Sequence, residues 1–214
     1  MENLPAVSEP REQAVPSLFS TTERFEQGQR MCKLLSTSNL VPPQFQGNVA
    51  NTFIALELAN RTASSPFFVM QNLHVIHGRP SWSAQFIIAA LNTCGRFSPL
   101  RFEMSGEGDG RQCVAWAIEL ASGERLEGPP VSLTMAKEEG WSTKAGSKWK
   151  SMPELMLRYR AATFFGRLYA PDILMGMRSS EELFDYGDTL PEAAQAPGSA
   201  AAVDELLSGE IVEL

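Results

Sequence analysis

Apolar residues recur along this chain with two spacings, and each spacing predicts a different secondary structure. Where they recur every three or four residues, one face of a helix is apolar. Where they alternate with polar residues, one face of a strand is apolar. Helices are predicted at 21–35, 47–61 and 81–94. Strands are predicted at 100–105, 112–121 and 126–133, with a glycine-rich hairpin turn at 106–110. The chain is therefore expected to combine helices with about three strands.

Shorter elements are predicted between and after these segments. Residues 67–75 are predicted as a loop that leads into a short strand containing His74, and Gly78-Arg79-Pro80 is predicted as a turn. Thr134 is expected to cap a short helix at 135–140. A further helical turn is expected at 181–186.

The longest predicted helix lies between Pro153 and Tyr169, with Ser151 as its expected N-cap and Pro171 as its end. It is apolar on nearly every side, which is typical of a buried helix. Arg160 and Arg167 are seven residues apart, so they lie about 20° apart around the helix axis. Two arginines on a buried helix need anionic partners. Those partners are either carboxylates elsewhere in the chain or the phosphates of a bound polyanion, and the sequence leaves both open.

Charge is distributed unevenly along the 214 residues, whose net charge is −7. Residues 31–178 carry a net charge of +4, whereas residues 179–214 contain nine acidic residues and no Lys or Arg. This asymmetry indicates a body that binds a polyanion and an acidic tail. The proline-rich residues 1–20 are predicted to form a disordered arm, and the Ala/Pro/Gly-rich residues 193–203 a linker.

Several kinds of function lack their usual motifs here. No apolar run reaches the roughly 18 residues that span a bilayer, and the N-terminus has no secretory signal pattern, so a cytoplasmic location is expected. Phosphate-loop, dinucleotide-binding and hydrolase-elbow motifs are absent from the sequence. His74, His77, Cys94 and Cys113 lack zinc-site spacing. We therefore expect no metal, no cofactor and no enzymatic activity.

A series of motifs in a fixed order resembles the RecT/Redβ family of phage single-strand annealing proteins. The resemblance covers roughly residues 45–178. Its upstream motifs are A-N-T-F-I-A-L-E-L-A-N (50–60), S-P-F (65–67), I-H-G-R-P-S-W-S-A-Q-F-I-I-A-A-L-N (76–92) and L-R-F-E (100–103). Its downstream motifs are G-W (140–141) and, after a basic gap, W-x-x-M-P-E-x-M-x-R-Y-R-A-x-x-x-F-x-R-x-x-A-P (149–171).

The resemblance implies an α+β fold in which helices pack on a small antiparallel sheet beside a long basic DNA-binding groove. It implies a DNA-binding, annealing and oligomerisation core at 21–178, with flexible tails at 1–20 and 179–214. The implied activity is ATP-independent annealing of complementary DNA strands in homologous recombination, in the cytoplasm of a bacterial host. The implied partners are single-stranded DNA and the annealed duplex, further copies of the chain in a ring or helical filament, an exonuclease and a host single-strand binding protein.

The basic residues of the downstream motifs are the expected DNA-binding residues. They are Lys144, Lys148, Lys150, Arg158, Arg160 and Arg167. Trp149 is included with two roles open, base stacking or closing the basic loop. Glu154 departs from the pattern, because lambda-type members have a base there. Two alternative functions remain: a passive single-strand binding protein, and a structural or adaptor protein whose basic helix forms internal salt bridges.

Overall fold

The computed structural model describes residues 16–76 and 78–187, in which helices and antiparallel strands alternate. The helices are α1 (Thr22–Ser36), α2 (Val49–Arg61), α3 (Pro66–Asn72), α4 (Ala84–Thr93), α5 (Leu133–Glu138), α6 (Lys148–Ser151), α7 (Pro153–Tyr169), α8 (Pro171–Leu174) and α9 (Ser180–Tyr186). The strands are β1 (Leu73–Ile76), β2 (Arg79–Trp82), β3 (Arg101–Ser105), β4 (Gln112–Ile118), β5 (Arg125–Glu127) and β6 (Val131–Ser132). The prediction of an α+β fold with small antiparallel sheets is confirmed. No helix in the described ranges is long and apolar enough to cross a bilayer.

Helices α1 and α2 form a hairpin, and each begins at a capping side chain. The Thr21 hydroxyl accepts a hydrogen bond from the backbone N–H of Arg24, and Asn48 caps α2 in the same way. Phe53 of α2 packs with Cys32 of α1 in a small core of their own. Both helices follow the predicted ranges to within two residues, because their apolar spacing and their caps agree.

The larger sheet is organised around β4. It pairs with β3 on one edge and with β5 and β6 on the other, all antiparallel. Cys113, Ala115 and Ala117 are fully buried on the face that α7 covers, and the alternation predicted for this strand is confirmed. The single third strand predicted at 126–133 is wrong. Gly128-Pro129-Pro130 interrupts it, because proline cannot donate to a ladder hydrogen bond.

The second sheet is the hairpin of β1 and β2, and here the sequence prediction failed twice. The loop predicted from residue 67 is helix α3 as far as Asn72, followed by β1. The helix predicted from residue 81 begins only at Ala84, where the Ser83 hydroxyl caps the N–H of Phe86. Trp82 belongs instead to β2, and its N–H donates to the carbonyl of Arg178. Such tertiary contacts override the local apolar spacing.

Helix α7 is the buried centre of the molecule and packs against α4 and β4. Pro153 occupies its first turn as predicted, but Ser151 ends α6 and does not cap α7. Ala170 ends the helix, and Pro171 begins α8.

The predicted core boundary after residue 178 falls too early. Helix α9 begins with a capping box between Ser179 and Glu182, and its Leu183 is buried. At the other end, the Ser17 hydroxyl donates to the Glu57 carboxylate, so residues 16–20 of the predicted arm also pack on the body. The remaining predicted arm and tail, 1–15 and 188–214, lie outside the described residues.

The turn that follows β3 gives a testable prediction for stability. Gly106, the residue directly after β3, has φ +71°, and a Cβ built there would lie 2.2 Å from the carbonyl oxygen of Gly110. We expect Gly106→Ala to lower the free energy of unfolding by about 2–3 kcal/mol. Gly108→Ala is the control, because its φ is also positive but its Cβ meets no atom within 4 Å. It is expected to lose about 1 kcal/mol. Equal losses in urea titrations of the two variants would contradict this steric account.

Candidate nucleic-acid interface

The two arginines on one side of α7 end in a buried ion-pair network with α9. Arg160, whose side chain is 1% exposed, donates through Nη2 to Oδ2 of Asp185. Its Nη1 lies 3.9 Å from Oε1 of Glu182. Arg167 donates to Oε2 of the same glutamate. Glu182 also accepts the backbone N–H of Ser179 at 3.0 Å. The network therefore fastens α9 to α7.

Two tryptophans complete this network. The guanidinium of Arg160 stacks 3.9 Å from the centroid of the Trp141 ring. Trp149 donates through Nε1 to Oδ2 of Asp185 at 2.8 Å. Burial raises the pKa of the Asp185 carboxyl, while the bonds from Trp149 and Arg160 act to lower it. Burial likewise lowers the pKa of Arg160, against the attraction of Glu182 and Asp185. Because burial opposes the charge on both groups, each depends on its partner.

These contacts decide between the alternatives that the sequence left open. The anionic partners of Arg160 are carboxylates of this chain, so its prediction as a DNA-binding residue is corrected: it is buried behind α9. Trp149 is also buried, which supports its role in closing the basic loop. Arg167 is paired too, although its side chain remains 35% exposed.

Arg158 lies apart from the network, on a half-buried position of α7. It donates to the carbonyl oxygen of Glu154, one turn earlier, at 3.3 Å, and its Nη1 lies 3.6 Å from that residue's carboxylate. Nη2 of Arg111 lies 2.9 Å from Oε1 of the same Glu154 carboxylate. Glu154, the acidic departure from the family motif, therefore holds two arginines at this end of α7.

Two of the three predicted lysines differ from the arginines, because they are exposed. Lys148 and Lys150 are exposed on α6, and no carboxylate of the described chain lies within ion-pair distance of either. Lys144, half-buried, donates to the carbonyl of Phe184 at 3.4 Å. The segment that carries them is rigidly anchored, since the Ser147 hydroxyl donates to the carbonyl of Trp141 at 2.7 Å. We call these three residues the lysine cluster.

An open cleft lies beside the lysine cluster. Its volume is about 500 Å³, and β1, α6, α7 and α9 contribute to its walls. Val75 and Phe184, which are 50% and 49% exposed, give it an apolar surface. Lys148 is the one lysine that lines the cleft, and His74 and Gln44 add polar groups. Glu181 and Asp185 line it as well, and Asp185 is paired with Arg160. A lysine at the edge of a partly apolar cleft is suited to a ligand that carries both anionic and flat or apolar groups.

Metal ligation finds no support among the described residues, where no three His, Cys, Asp or Glu side chains are grouped to hold an ion. His77, one of the two histidines weighed in the sequence, lies outside the described residues.

No protein-family model matches this chain, and neither does any curated protein or solved structure compared with it.

Sequence reasoning did not identify Glu182 and Asp185 as functional residues. The signal for the first was present, because Ser179 followed by Glu182 is a capping-box pattern that predicts an ordered helix. The position of Arg160 and Arg167 on one side of a buried helix also called for anionic partners near that side. The sequence showed both the arginines and the acidic residues, but it did not show which acidic segment packs against α7.

Proposed function

We propose that this protein binds single-stranded DNA at the lysine cluster and anneals complementary strands without a nucleotide. The observation that carries the proposal is the cluster itself. Its three lysines lie on an anchored segment, Lys148 and Lys150 have no carboxylate partner among the described residues, and Lys148 lines the edge of an open cleft. Cations held in this way favour a polyanion over a single small anion.

The resemblance to single-strand annealing proteins adds independent support, and the geometry suggests a division of labour within the motif. In this proposal Arg160 and Trp149 hold α6 and α9 in place through Asp185, and the neighbouring lysines contact the phosphates. The strand is held by its backbone, and the apolar cleft accommodates unstacked bases without reading their sequence. A second strand then pairs with the exposed Watson–Crick edges.

The charge distribution also supports this proposal. Residues 16–187 contain seventeen Lys or Arg and sixteen Asp or Glu. Their near balance means that attraction for DNA is local, where lysines lack acidic partners, and not a property of the whole body. Assembly into rings or helical filaments, cooperation with an exonuclease and a host single-strand binding protein, and action in the bacterial cytoplasm belong to the same proposal.

Annealing of purified oligonucleotides tests this function. Complementary strands mixed with the protein in EDTA and without ATP are expected to pair at least tenfold faster than without protein. The measurement is the loss of fluorescence from a labelled and quenched pair. A heat-inactivated sample and a non-complementary pair are the controls. Binding without any acceleration would favour the passive single-strand binding protein, and a requirement for ATP or Mg²⁺ would contradict the proposed mechanism.

A further inference from the structure

The edge of strand β1 that faces away from β2 is open at Val75, a residue that lines the cleft. At Leu73, on the same edge, the carbonyl oxygen accepts from Nε2 of Gln44 at 3.1 Å. The N–H of Trp82 donates to Arg178 and not across the hairpin, so Leu73 and Trp82 form a non-hydrogen-bonded pair. Antiparallel pairs alternate in type, so Val75 and Pro80 are also non-hydrogen-bonded. Pro80 has no N–H to offer in any case. The N–H and C=O of Val75 therefore point away from β2, and no strand of the described ranges pairs with that edge. Such an edge accepts an added strand.

The surroundings of this edge define what would bind there. Val75 and Phe184 expose about half of their surface in the cleft, and Met156 lines it as well. Lys148 stands at the rim, with Lys150 two residues further along α6. Glu181 and Asp185 also line the cleft, and Asp185 is paired with Arg160. An extended segment with large apolar residues in the cleft and carboxylates placed at the lysines matches this combination of surfaces.

The chain leaves the described body at the same place. A Cβ built on Gly187 would lie 2.6 Å from Nζ of Lys144, so the last described residue lies against the lysine cluster. Beyond it, residues 188–214 contain six acidic residues and no Lys or Arg. The final eleven, 204–214, combine four acidic residues with five large apolar ones in the sequence D-E-L-L-S-G-E-I-V-E-L.

We propose that residues 204–214 dock in this cleft of their own chain, with 210–214 added as a strand to the open edge of β1 at Val75. Ile211 and Val212 are β-branched, which favours the extended conformation. Residues 188–203 are long enough for the return, since sixteen residues extend to about 55 Å and span about 22 Å as a random coil. A tether of this length provides a local concentration on the order of millimolar, which suffices for a weak contact.

Docking of the tail would also affect DNA binding. This effect rests on the proposed function, whereas the docking itself does not. The acids at 204, 205, 210 and 213 would engage the lysine cluster that is proposed to hold DNA. The tail would then act as a tethered competitor that a long DNA strand displaces, and salt would weaken both contacts.

Disulfide trapping in the full-length protein tests the docking directly. Val75→Cys is combined with Val212→Cys in a Cys94→Ser background, because Cys94 is half-exposed while Cys32 and Cys113 are buried. The control pair is Leu120→Cys with Val212→Cys, since Leu120 is exposed but does not line the cleft. We expect at least fivefold more intramolecular disulfide in the Val75 pair, measured by mass on non-reduced monomer. Equal trapping in both pairs, or a disulfide only between chains, would overturn the proposal.

A second measurement separates the docking from the DNA-binding proposal. Ile211→Ser with Val212→Ser removes the apolar anchors and leaves every charge in place. Its affinity for a single-stranded oligonucleotide is expected to rise about fivefold at 50 mM salt and to match the unmodified chain at 0.5 M. Trapping without any DNA binding would refute the proposed function and leave the docking intact. DNA binding with no trapping at Val75 would refute the docking alone.

Discussion

A protein truncated after Arg178 is expected not to fold, although the sequence places that cut at the start of the acidic tail. The cut removes Glu182 and Asp185 together with the helix that covers Arg160, so the guanidinium loses its carboxylate partners. Breaking a buried ion pair in this way costs about 3–5 kcal/mol, and the loss of buried Leu183 adds about 2 kcal/mol. A loss of this size equals most of the free energy of unfolding of a typical domain. The expected result is an absent or sharply lowered thermal transition in circular dichroism.

The matched control is truncation after Gly187. This cut removes six acidic residues, whereas α9 contains three, but it keeps every contact between α7 and α9 in the ion-pair network. We expect its melting temperature to lie within about 2 °C of the full-length value, because the network is kept whole and the proposed docking of the tail is a weak contact. If the two truncations melt alike, the network does not hold α9 in place. Annealing is therefore expected to survive the cut after Gly187 and to be lost with the cut after Arg178.

Replacing the lysine cluster is expected to abolish most DNA binding and leave stability unchanged. In the triple variant Lys144→Ala, Lys148→Ala, Lys150→Ala, three phosphate contacts are lost. At a slope of about −0.7 per contact, the dependence of log K on log salt should fall by about 2, and affinity at 0.1 M salt by about 100-fold. Fluorescence anisotropy of a labelled oligonucleotide measures both quantities. Melting should change little, because Lys148 and Lys150 are exposed and Lys144 makes a single long hydrogen bond, to the carbonyl of Phe184 at 3.4 Å.

A control with the same charge change distinguishes a local site from overall attraction. Lys33, Arg61 and Arg101 are exposed and lie outside the cleft. Their triple replacement by Ala is expected to reduce affinity less than threefold at 0.1 M salt. Equal losses in the two triple variants would mean that DNA responds to net charge and not to the lysine cluster.

The elements that the sequence predicted well are those in which local and tertiary preferences agree. Helices α1 and α2 have both apolar spacing and a capping residue at the right place. Strand β4 alternates because α7 covers one of its faces. Predictions failed where a distant segment intervened. Of the helix predicted from Ser81, the first two residues belong to β2 and Ser83 is the N-cap of α4. The backbone of Arg178, almost a hundred positions later, holds β2 in place through the N–H of Trp82.

The same distinction applies to the candidate site. The sequence by itself determined which segment carries the cations, that α7 is buried, and that Arg160 and Arg167 lie on one side of it. These properties follow from residue spacing along one helix. Only the tertiary structure decided which cations face solvent. Asp185 and Glu182 return from α9 to neutralise the arginines, because a buried guanidinium requires a carboxylate within contact distance. Lys148 and Lys150 have no such partner in the part of the chain that the structure describes, and no pattern along the sequence distinguishes the two groups of cations.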